Sequence, residues 1–449
     1  MKPGSGQATA RAVSLLGNAT ASALQTGGAA SPSSEGIRAD SYPVNGGTGG
    51  NSVMTDQVSG AAGSRLTLDQ EVFGGIGSSN GSGGNATSVL HAVNPLGGEL
   101  VARTNAQGGN GMGDGGAGIA GDSAGGGGSA SSSVTATDSS GKYVEADAIA
   151  HGGQPGYAYY GYSRGGSASA NATAQGLGPV LAQADTQAAV GGQGSAISAA
   201  LASGSIAGAH AALAGSGQQN FYTFAPAETL HAQASVGLGA GTSGAVLPQT
   251  EAKQAFLAAA PTASDVASWT AGHPNAQAAL ADHEAVALGS LGFDTLNDTQ
   301  PITGSLEVDL ASSTYGGPSK IALAFLDPLA SGMSFELLHL RFSIDGTSVF
   351  DQSFSDAPTA VAGLADQVVD LGTLGPSAKA TRALVLSFEF DGPAATTSPY
   401  YLPNEGAFAL DLALLAHAAV PEPSALALLA IAAAALSRAR LHTRRARSH

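Results

Sequence analysis

Cysteine is absent from this 449-residue chain. Its absence excludes disulfide bonds, thiolate metal sites and cysteine nucleophiles. Large core-forming side chains are scarce as well, with 1 Trp, 10 Tyr and 13 Phe. Charged residues make up 11% of the chain, against roughly 25% in ordinary soluble domains. A compact enzyme packed from Leu and aromatic side chains is therefore not expected. We predict a non-enzymatic protein that needs no cofactor and no metal.

Glycine is abundant, at 65 of 449 residues, but it has no three-residue period and so does not indicate collagen. In residues 1–220, glycine runs separate segments in which small residues alternate, such as Ser129–Asp138 and Ser167–Gln175. Alternation bounded by glycine indicates strands and turns. Inward-facing Ala and Ser allow only a thin interior, which favours an irregular parallel β-solenoid of stacked coils. The alternative is a flexible Gly/Ala/Ser-rich stalk.

Residues 221–287 read as a transition with short helices. Thr250–Ala260 is predicted to be helical up to Pro261, Asp265–Gly272 to form a second short helix with Ser264 as its N-cap, and Asn275–Ala287 a third.

Residues 288–418 are predicted to form an antiparallel β-sandwich. Apolar segments recur there at regular spacing between Gly, Pro, Asp and Ser. The predicted strands are Ser305–Leu310, Lys320–Leu326, Ser334–Ile344, Ser348–Ser355, Gln367–Leu371, Arg382–Phe390 and Ala407–Leu415. A hairpin is expected at Asp345-Gly346, with residues 344–346 as a three-residue loop. That loop length would place Leu340 and Phe342 on one face with Phe350 and Phe354.

The charge of the chain is unevenly distributed. The net charge is −16, yet five of the 17 basic residues lie in the last twelve positions. The rest of the chain is therefore strongly acidic. An acidic body disfavours nucleic acid, because phosphates require Lys and Arg, and it disfavours anionic membrane surfaces for the same reason. We expect no nucleic-acid partner.

Three features follow one another at the C-terminus. Val420-Pro421-Glu422-Pro423 precedes an uncharged segment, residues 424–437, which is rich in Ala and Leu. The prolines end the preceding structure, and the uncharged segment favours a helix. Fourteen residues span about 21 Å, less than the roughly 30 Å of a bilayer core, so insertion would be marginal. Arginines follow and should stay cytoplasmic; they are Arg438, Arg440, Arg444, Arg445 and Arg447.

This order resembles the PEP-CTERM sorting signal of Gram-negative bacteria, over the last 30 or so residues only. The resemblance implies that Pro421, Glu422 and Pro423 form the recognition motif for an exosortase, a membrane protease, and that the arginines form a cytoplasmic retention patch. It also implies an inner-membrane precursor with a short transmembrane helix that is released to the cell surface or to an exopolysaccharide-containing matrix. Such proteins carry an N-terminal secretion signal. Residues 1–17 have no apolar run long enough, so we expect the true start to lie upstream.

One aromatic patch stands out, at residues 156–162, where four Tyr lie close together: Tyr157, Tyr159, Tyr160 and Tyr162. Tyrosine faces can stack on sugars or mediate adhesion, or they can supply packing to a strand with Ala-rich neighbours. In one continuous strand, Tyr157 and Tyr159 would share a face, with Tyr160 and Tyr162 on the other.

A second class of function stays open: a carbohydrate-binding module or a glycan-active enzyme built on the sandwich. Glycoside hydrolysis needs two opposed carboxylates. Four acidic residues lie on or near predicted strands, namely Asp309, Glu336, Asp351 and Glu389.

Overall fold

The structure is a computed structural model. It describes residues 7–30, 46–78, 80–113, 124–158, 161–189, 194–202, 207–215, 230–238, 254–259, 261–294, 302–311, 319–332, 335, 337–374, 381–391 and 406–417. These residues are mainly β, in parallel and antiparallel sheets, as the composition and alternation predicted.

The described residues form 26 strands and three helices. The strands of the first half are β1 (Ala10–Ser14), β2 (Ala19–Thr26), β3 (Ser52–Thr55), β4 (Val58–Ala62), β5 (Arg65–Phe73), β6 (Ala86–Val93), β7 (Glu99–Gln107), β8 (Ala130–Asp138), β9 (Val144–His151), β10 (Tyr157–Ala158), β11 (Gly161–Tyr162), β12 (Ala168–Gly176), β13 (Val180–Ala188), β14 (Gly194–Ala202), β15 (Ala207–Gly215) and β16 (Leu230–Leu238). The second half contains β17 (Gln254–Ala259), α1 (Ala263–Trp269), α2 (Pro274–Ala279), β18 (Glu284–Asp294), β19 (Ile302–Ala311), β20 (Ser319–Phe325), β21 (Leu329–Gly332), β22 (Leu337–Ile344), β23 (Thr347–Phe354), α3 (Ala357–Leu364), β24 (Val368–Leu374), β25 (Thr381–Asp391) and β26 (Gly406–Ala416).

Two large sheets pack against each other, and from β5 to β9 and again from β12 to β16 successive strands alternate between them. Sheet I has the order β2-β5-β7-β9-β13-β15-β17-β18-β26-β20-β24, with β21 also paired to β26. Sheet II has the order β3-β6-β8-β12-β14-β16-β19-β25-β22-β23. Pairing is parallel from β2 to β15 in sheet I and from β3 to β19 in sheet II, and antiparallel beyond. The strands of residues 288–418 therefore extend the same two sheets.

The interior of the parallel half is built from small side chains. Strand β12 places Ala168, Ala170, Ala172 and Ala174 inward, all of them buried. Inward polar side chains bond to each other, as where Thr104 and Ser132 lie 2.7 Å apart through their hydroxyl oxygens. The core is consequently thin, and backbone pairing supplies much of the order.

Glycine pairs bring the two sheets into direct contact at one end. Each sheet I strand from β2 to β9 runs into a glycine pair, and β3, β6, β8 and β12 of sheet II each follow one. Backbone hydrogen bonds then cross from sheet to sheet; for example, the amide of Gly109 donates to the carbonyl of Gly84 at 2.8 Å, and the amide of Gly128 donates to the carbonyl of Gly109 at 2.8 Å. A Cβ atom at Gly109 would overlap the carbonyl oxygen of Gly75. We call this series of cross-sheet bonds the glycine ladder.

The predicted hairpin forms, but its loop is shorter than expected. Asp345 and Gly346 alone make the turn, with φ of 50° and 82°, as a two-residue turn between twisted strands requires. A bulge in β23 then inserts one residue, so Phe342 pairs with Phe350 and Leu338 with Phe354. The expected apolar face is thus correct although the three-residue loop was wrong.

The helix predicted over Thr250–Ala260 was also wrong. Residues 254–259 form β17, which pairs antiparallel with β15 on one side and β18 on the other. Leu257 of β17 is buried in the main core. Two flanking strands with free backbone groups outweigh the helix propensity of Ala-rich residues.

The predicted short helices of the transition region form only in part. Helix α1 begins after Thr262, not Ser264, in a capping box whose Thr262 hydroxyl accepts from the Asp265 amide at 3.1 Å. Helix α2 ends at Ala279 and β18 begins at Glu284, so the third predicted helix, Asn275–Ala287, is helical only up to Ala279 and ends as strand. None of the helices in the described residues is long and apolar enough to cross a membrane.

Candidate functional site

The outer faces of the two sheets differ in chemistry. In the parallel half of sheet I, the outward positions carry a cluster that we call the charged face. It consists of Asp69, Glu71, Arg103, Glu145, Asp147, His151, Asp185 and His210. The strands that carry these residues are parallel and in register, so residues that are distant in sequence become neighbours.

Arg103 lies at the centre of the charged face. In the strand register Asp69, Arg103 and Asp147 are direct neighbours on β5, β7 and β9. The Arg103 guanidinium donates to Oε1 of Glu145 at 2.9 Å and lies 3.8 Å from Oδ2 of Asp147. The hydroxyl of Tyr143 donates to the other Glu145 oxygen at 3.1 Å. Arg103 therefore interacts with several carboxylates at once, and the cluster keeps a net negative charge.

The crowding raises the pKa of several carboxyl groups. Burial, reinforced by the charge of Asp185, raises the pKa of Asp147 to about 6. Burial also raises the pKa of Asp185, although His210 and His151 oppose the shift. The pKa of Asp69 is raised by burial against the influence of Arg103. Burial lowers the pKa of His151. The charged face therefore takes up a proton more readily than isolated carboxylates would.

The raised carboxyl pKa values suit the charged face to take up protons, and its net negative charge suits it to attract cations. Oδ1 of Asp147 and Oδ1 of Asn105 are buried and accept no hydrogen bond within the described part of the chain. No group of three or more His, Asp or Glu side chains in that part is arranged to hold a metal ion. Sequence reasoning missed this cluster because its members are dozens of residues apart. The available signal was a charged residue at an outward position in each of several strands.

In the parallel half of sheet II, the outer face of strands β6, β8 and β12 is nearly free of charge. Across β6, β8 and β12 the outward positions hold Thr, Ser, Val, Asn and Gln, with His91 as the sole ionisable side chain among them. His91 is held by Asp56, whose Oδ1 accepts from the His91 amide at 2.7 Å. Short hydroxyl side chains pair across these strands: Ser131 lies opposite Ser169, and Thr135 opposite Thr173. We call this surface the hydroxyl face.

The tyrosine patch is not one continuous strand. Tyr157 and Tyr162 are partners across the small antiparallel pair β10–β11, so the expected alternation over 157–162 was wrong. The reason is that β10 and β11 pair antiparallel, with Ala158 opposite Gly161. Tyr159 and Tyr160 lie outside the described residues. A contact with glycans at these tyrosines stays a prediction.

The four carboxylates considered for glycoside hydrolysis do not converge as a set. Asp309 pairs with Ala383, whereas Glu389 pairs with Thr303, six residues away along β19. Six residues correspond to about 20 Å, well beyond the roughly 5–9.5 Å of a catalytic pair.

Asp351 is engaged in ion pairing, with His339 Nε2 at 2.7 Å and Arg341 Nε at 3.0 Å. Both hydrogen bonds lower the pKa of Asp351, and the one from His339 has the larger effect. Burial raises the pKa of Asp309, with a further contribution from Asp345. Glu336 lies outside the described residues, as do the sorting motif at Pro421, Glu422 and Pro423, the segment 424–437 and the arginine patch.

Comparison with known proteins assigns no family to the chain. No family model matches it, and no curated protein matches it. Among solved structures, the insecticidal delta-endotoxin Cry8Ea1 from Bacillus thuringiensis aligns with 28% of this chain and 19% of its own, at 10% identity and a TM-score of 0.15. That similarity carries no argument about fold or function.

Proposed function

We propose that this protein is an exported, non-enzymatic component of the cell surface or extracellular matrix, sorted by an exosortase through its C-terminal segment. One observation carries the proposal: a Pro-Glu-Pro motif, an uncharged Ala/Leu-rich segment and an arginine patch follow one another at residues 420–449. The same order implies a transient anchor in the inner membrane and release of the body from it.

The body suits a structural task. We propose that its parallel half is a two-sheet β-solenoid, in which each strand is paired with the strands above and below. Ala-rich packing and the glycine ladder support this interpretation, because they order the chain without disulfide bonds. Ten strands at about 4.8 Å spacing give sheet II a width of about 43 Å. Such a body can act as a spacer at a surface.

The sorting proposal is tested in the native host, with the gene at its own locus. Deletion of Val420–His449 should abolish processing and change the cell fraction in which the protein is found. Replacing Pro421, Glu422 and Pro423 together with Ala should retain the full-length precursor in the inner membrane, as should loss of the host exosortase. Replacing His442 and Thr443 with Ala is the matched control in the same tail. Unchanged processing and location in the motif variant would contradict the proposal.

A second candidate function is binding of a neutral matrix polysaccharide. The observation that favours it is the hydroxyl face, because uncharged hydroxyl and amide groups suit sugar hydroxyls. A glycan array separates this function from a purely structural one. Binding that persists when Ser133 and Asn171 are both replaced by Lys would exclude the hydroxyl face as the contact surface.

A further inference from the structure

Two histidines face each other where the paired strands β18 and β26 meet at one end. The register of this antiparallel pair sets Glu284 opposite Ala416, so one step further along it sets His283 opposite His417. Side chains at such directly opposed positions are close neighbours on one face of a sheet. The centroids of the two imidazole rings lie 6.1 Å apart, with an interplanar angle of 74°. Both histidines are partly buried.

Hydrogen bonds determine which nitrogen of each ring carries the proton. Nδ1 of His283 lies 3.0 Å from the carbonyl oxygen of Ala279, and Nδ1 of His417 bonds to the carbonyl oxygen of Asp282. A carbonyl oxygen can only accept, so Nδ1 is the donor in both rings. In the neutral imidazole, Nε2 is then the nitrogen with a free lone pair. Neither Nε2 has a hydrogen-bond partner within the described residues.

This is the arrangement that metal-binding histidines adopt. A ligating imidazole typically donates its other ring N–H to a backbone carbonyl or a carboxylate, which orients the ring and leaves one nitrogen for the metal. Two imidazoles that share a zinc ion at Zn–N distances of about 2.0–2.1 Å have ring centroids roughly 5–6 Å apart. The spacing between His283 and His417 is therefore close to that of two ligands of one ion.

The surrounding backbone holds the pair in place, and the surrounding side chains limit its affinity for a cation. The amide of His417 donates to the carbonyl of Lys320 at 2.8 Å, and β26 lies between β18 and β20. The register sets Lys320 beside His417 on the side away from His283. Its ammonium group disfavours a bound cation. No third His, Asp or Glu ligand joins the pair in the described part of the chain, so water completes the coordination.

We propose that Nε2 of His283 and Nε2 of His417 together bind one divalent transition-metal ion such as zinc. Imidazole nitrogen suits zinc, copper and nickel, whereas calcium and magnesium require oxygen ligands. The ion joins the end of β26 to β18 three residues before Val420, the first residue of the segment that we propose as the sorting signal. It thereby secures the last strand of the body in sheet I. The site does not depend on the sorting proposal.

Calorimetric titration of zinc into the full-length chain tests the site, in a mild detergent that shields residues 424–437. One ion should bind per chain. The variants His283→Asn and His417→Asn each remove Nε2 but keep an amide N–H that can reach the carbonyl partner of Nδ1. Each should weaken zinc binding at least tenfold. Zinc should also raise the thermal unfolding midpoint of the wild type, because it binds the folded state, and leave that of both variants unchanged.

The matched control is His91→Asn with His339→Asn, which removes two histidines that lie against Asp56 and Asp351 instead of a second imidazole. It should bind zinc like the wild type. A wild type that binds no zinc would overturn the proposal and leave the pair as an edge-to-face ring contact. Single variants that keep the wild-type affinity would overturn it too. So would single variants that lose only half of the bound zinc, since that result indicates two independent histidines.

Discussion

Single residues on the charged face show how in-register stacking alters ordinary chemistry. Asp147 has an unremarkable sequence context, Glu145 to Ile149, in an alternating strand. Only the neighbouring strands bring Asp69, Arg103 and Asp185 around it. Its raised pKa follows from burial and from the charge of Asp185, and both come from tertiary structure.

Replacing Asp147 with Asn tests whether burial of its ionised carboxylate destabilises the folded protein. The pKa of about 6 lies above the unfolded value of 3.8, so the ionised carboxylate destabilises the folded state at neutral pH. The stability of the wild type should therefore rise as pH falls from about 7 to about 4. Asp147→Asn should remove much of this rise and stabilise the protein by up to about 2 kcal/mol at pH 7. Urea unfolding at several pH values measures the effect.

Glu145→Gln is the control, because Glu145 accepts hydrogen bonds from both Arg103 and Tyr143. That substitution should leave the stability unchanged or lower it at pH 7. If the free energy of unfolding of Asp147→Asn depended on pH as that of the wild type does, burial of Asp147 would not be the cause of the pH dependence.

At the scale of elements, the glycine pairs determine how close the two sheets come. Sheets packed through side chains lie about 10 Å apart, whereas glycine allows backbone groups to bond across the gap. Alternation in the sequence predicted strands next to this ladder, such as β8 from Ser129–Asp138 and β12 from Ser167–Gln175. It could not predict the ladder, because a glycine pair is equally compatible with a loop.

The substitution Gly109→Ala tests the ladder. The new methyl would overlap the Gly75 carbonyl, and that backbone is itself held by neighbouring glycines. Overpacking against backbone should cost about 3 kcal/mol or more in the free energy of unfolding. Gly208→Ala in β15 is the matched control, since its nearest neighbour is the flexible side chain of Leu181 at 3.3 Å. Thermal denaturation of both variants gives the comparison. Equal losses would show that the ladder tolerates a side chain.

At the scale of the whole molecule, the two sheets continue from the parallel half into the antiparallel half. Strand β19 bonds to β16 on one side and β25 on the other, and β18 lies between β17 and β26. The apolar core is shared, because one cluster runs from Ala19 to Ala416. We therefore expect the parts of the chain before and after residue 288 to unfold together as one cooperative unit.

A fragment comprising residues 284–417 tests this continuity. Without β16 and β17 it exposes a new edge in each sheet, at β19 and β18. We expect a lower unfolding midpoint than in the full chain and concentration-dependent aggregation. Calorimetry and light scattering measure both properties. A soluble fragment with an unchanged midpoint would favour an independent domain beginning near residue 288.

Three features could be predicted without a structure: the mainly-β class, most strand positions after residue 300, and the apolar face shared by Phe342 and Phe350. Alternation and turn residues carry that information locally, which is why it could be read without a structure. Tertiary structure alone decided that residues 254–259 form a strand, that glycine pairs bond across the sheets, and that Asp147 and Asp185 share a surface. These features depend on which strands become neighbours. The register between two distant segments cannot be deduced from either segment alone.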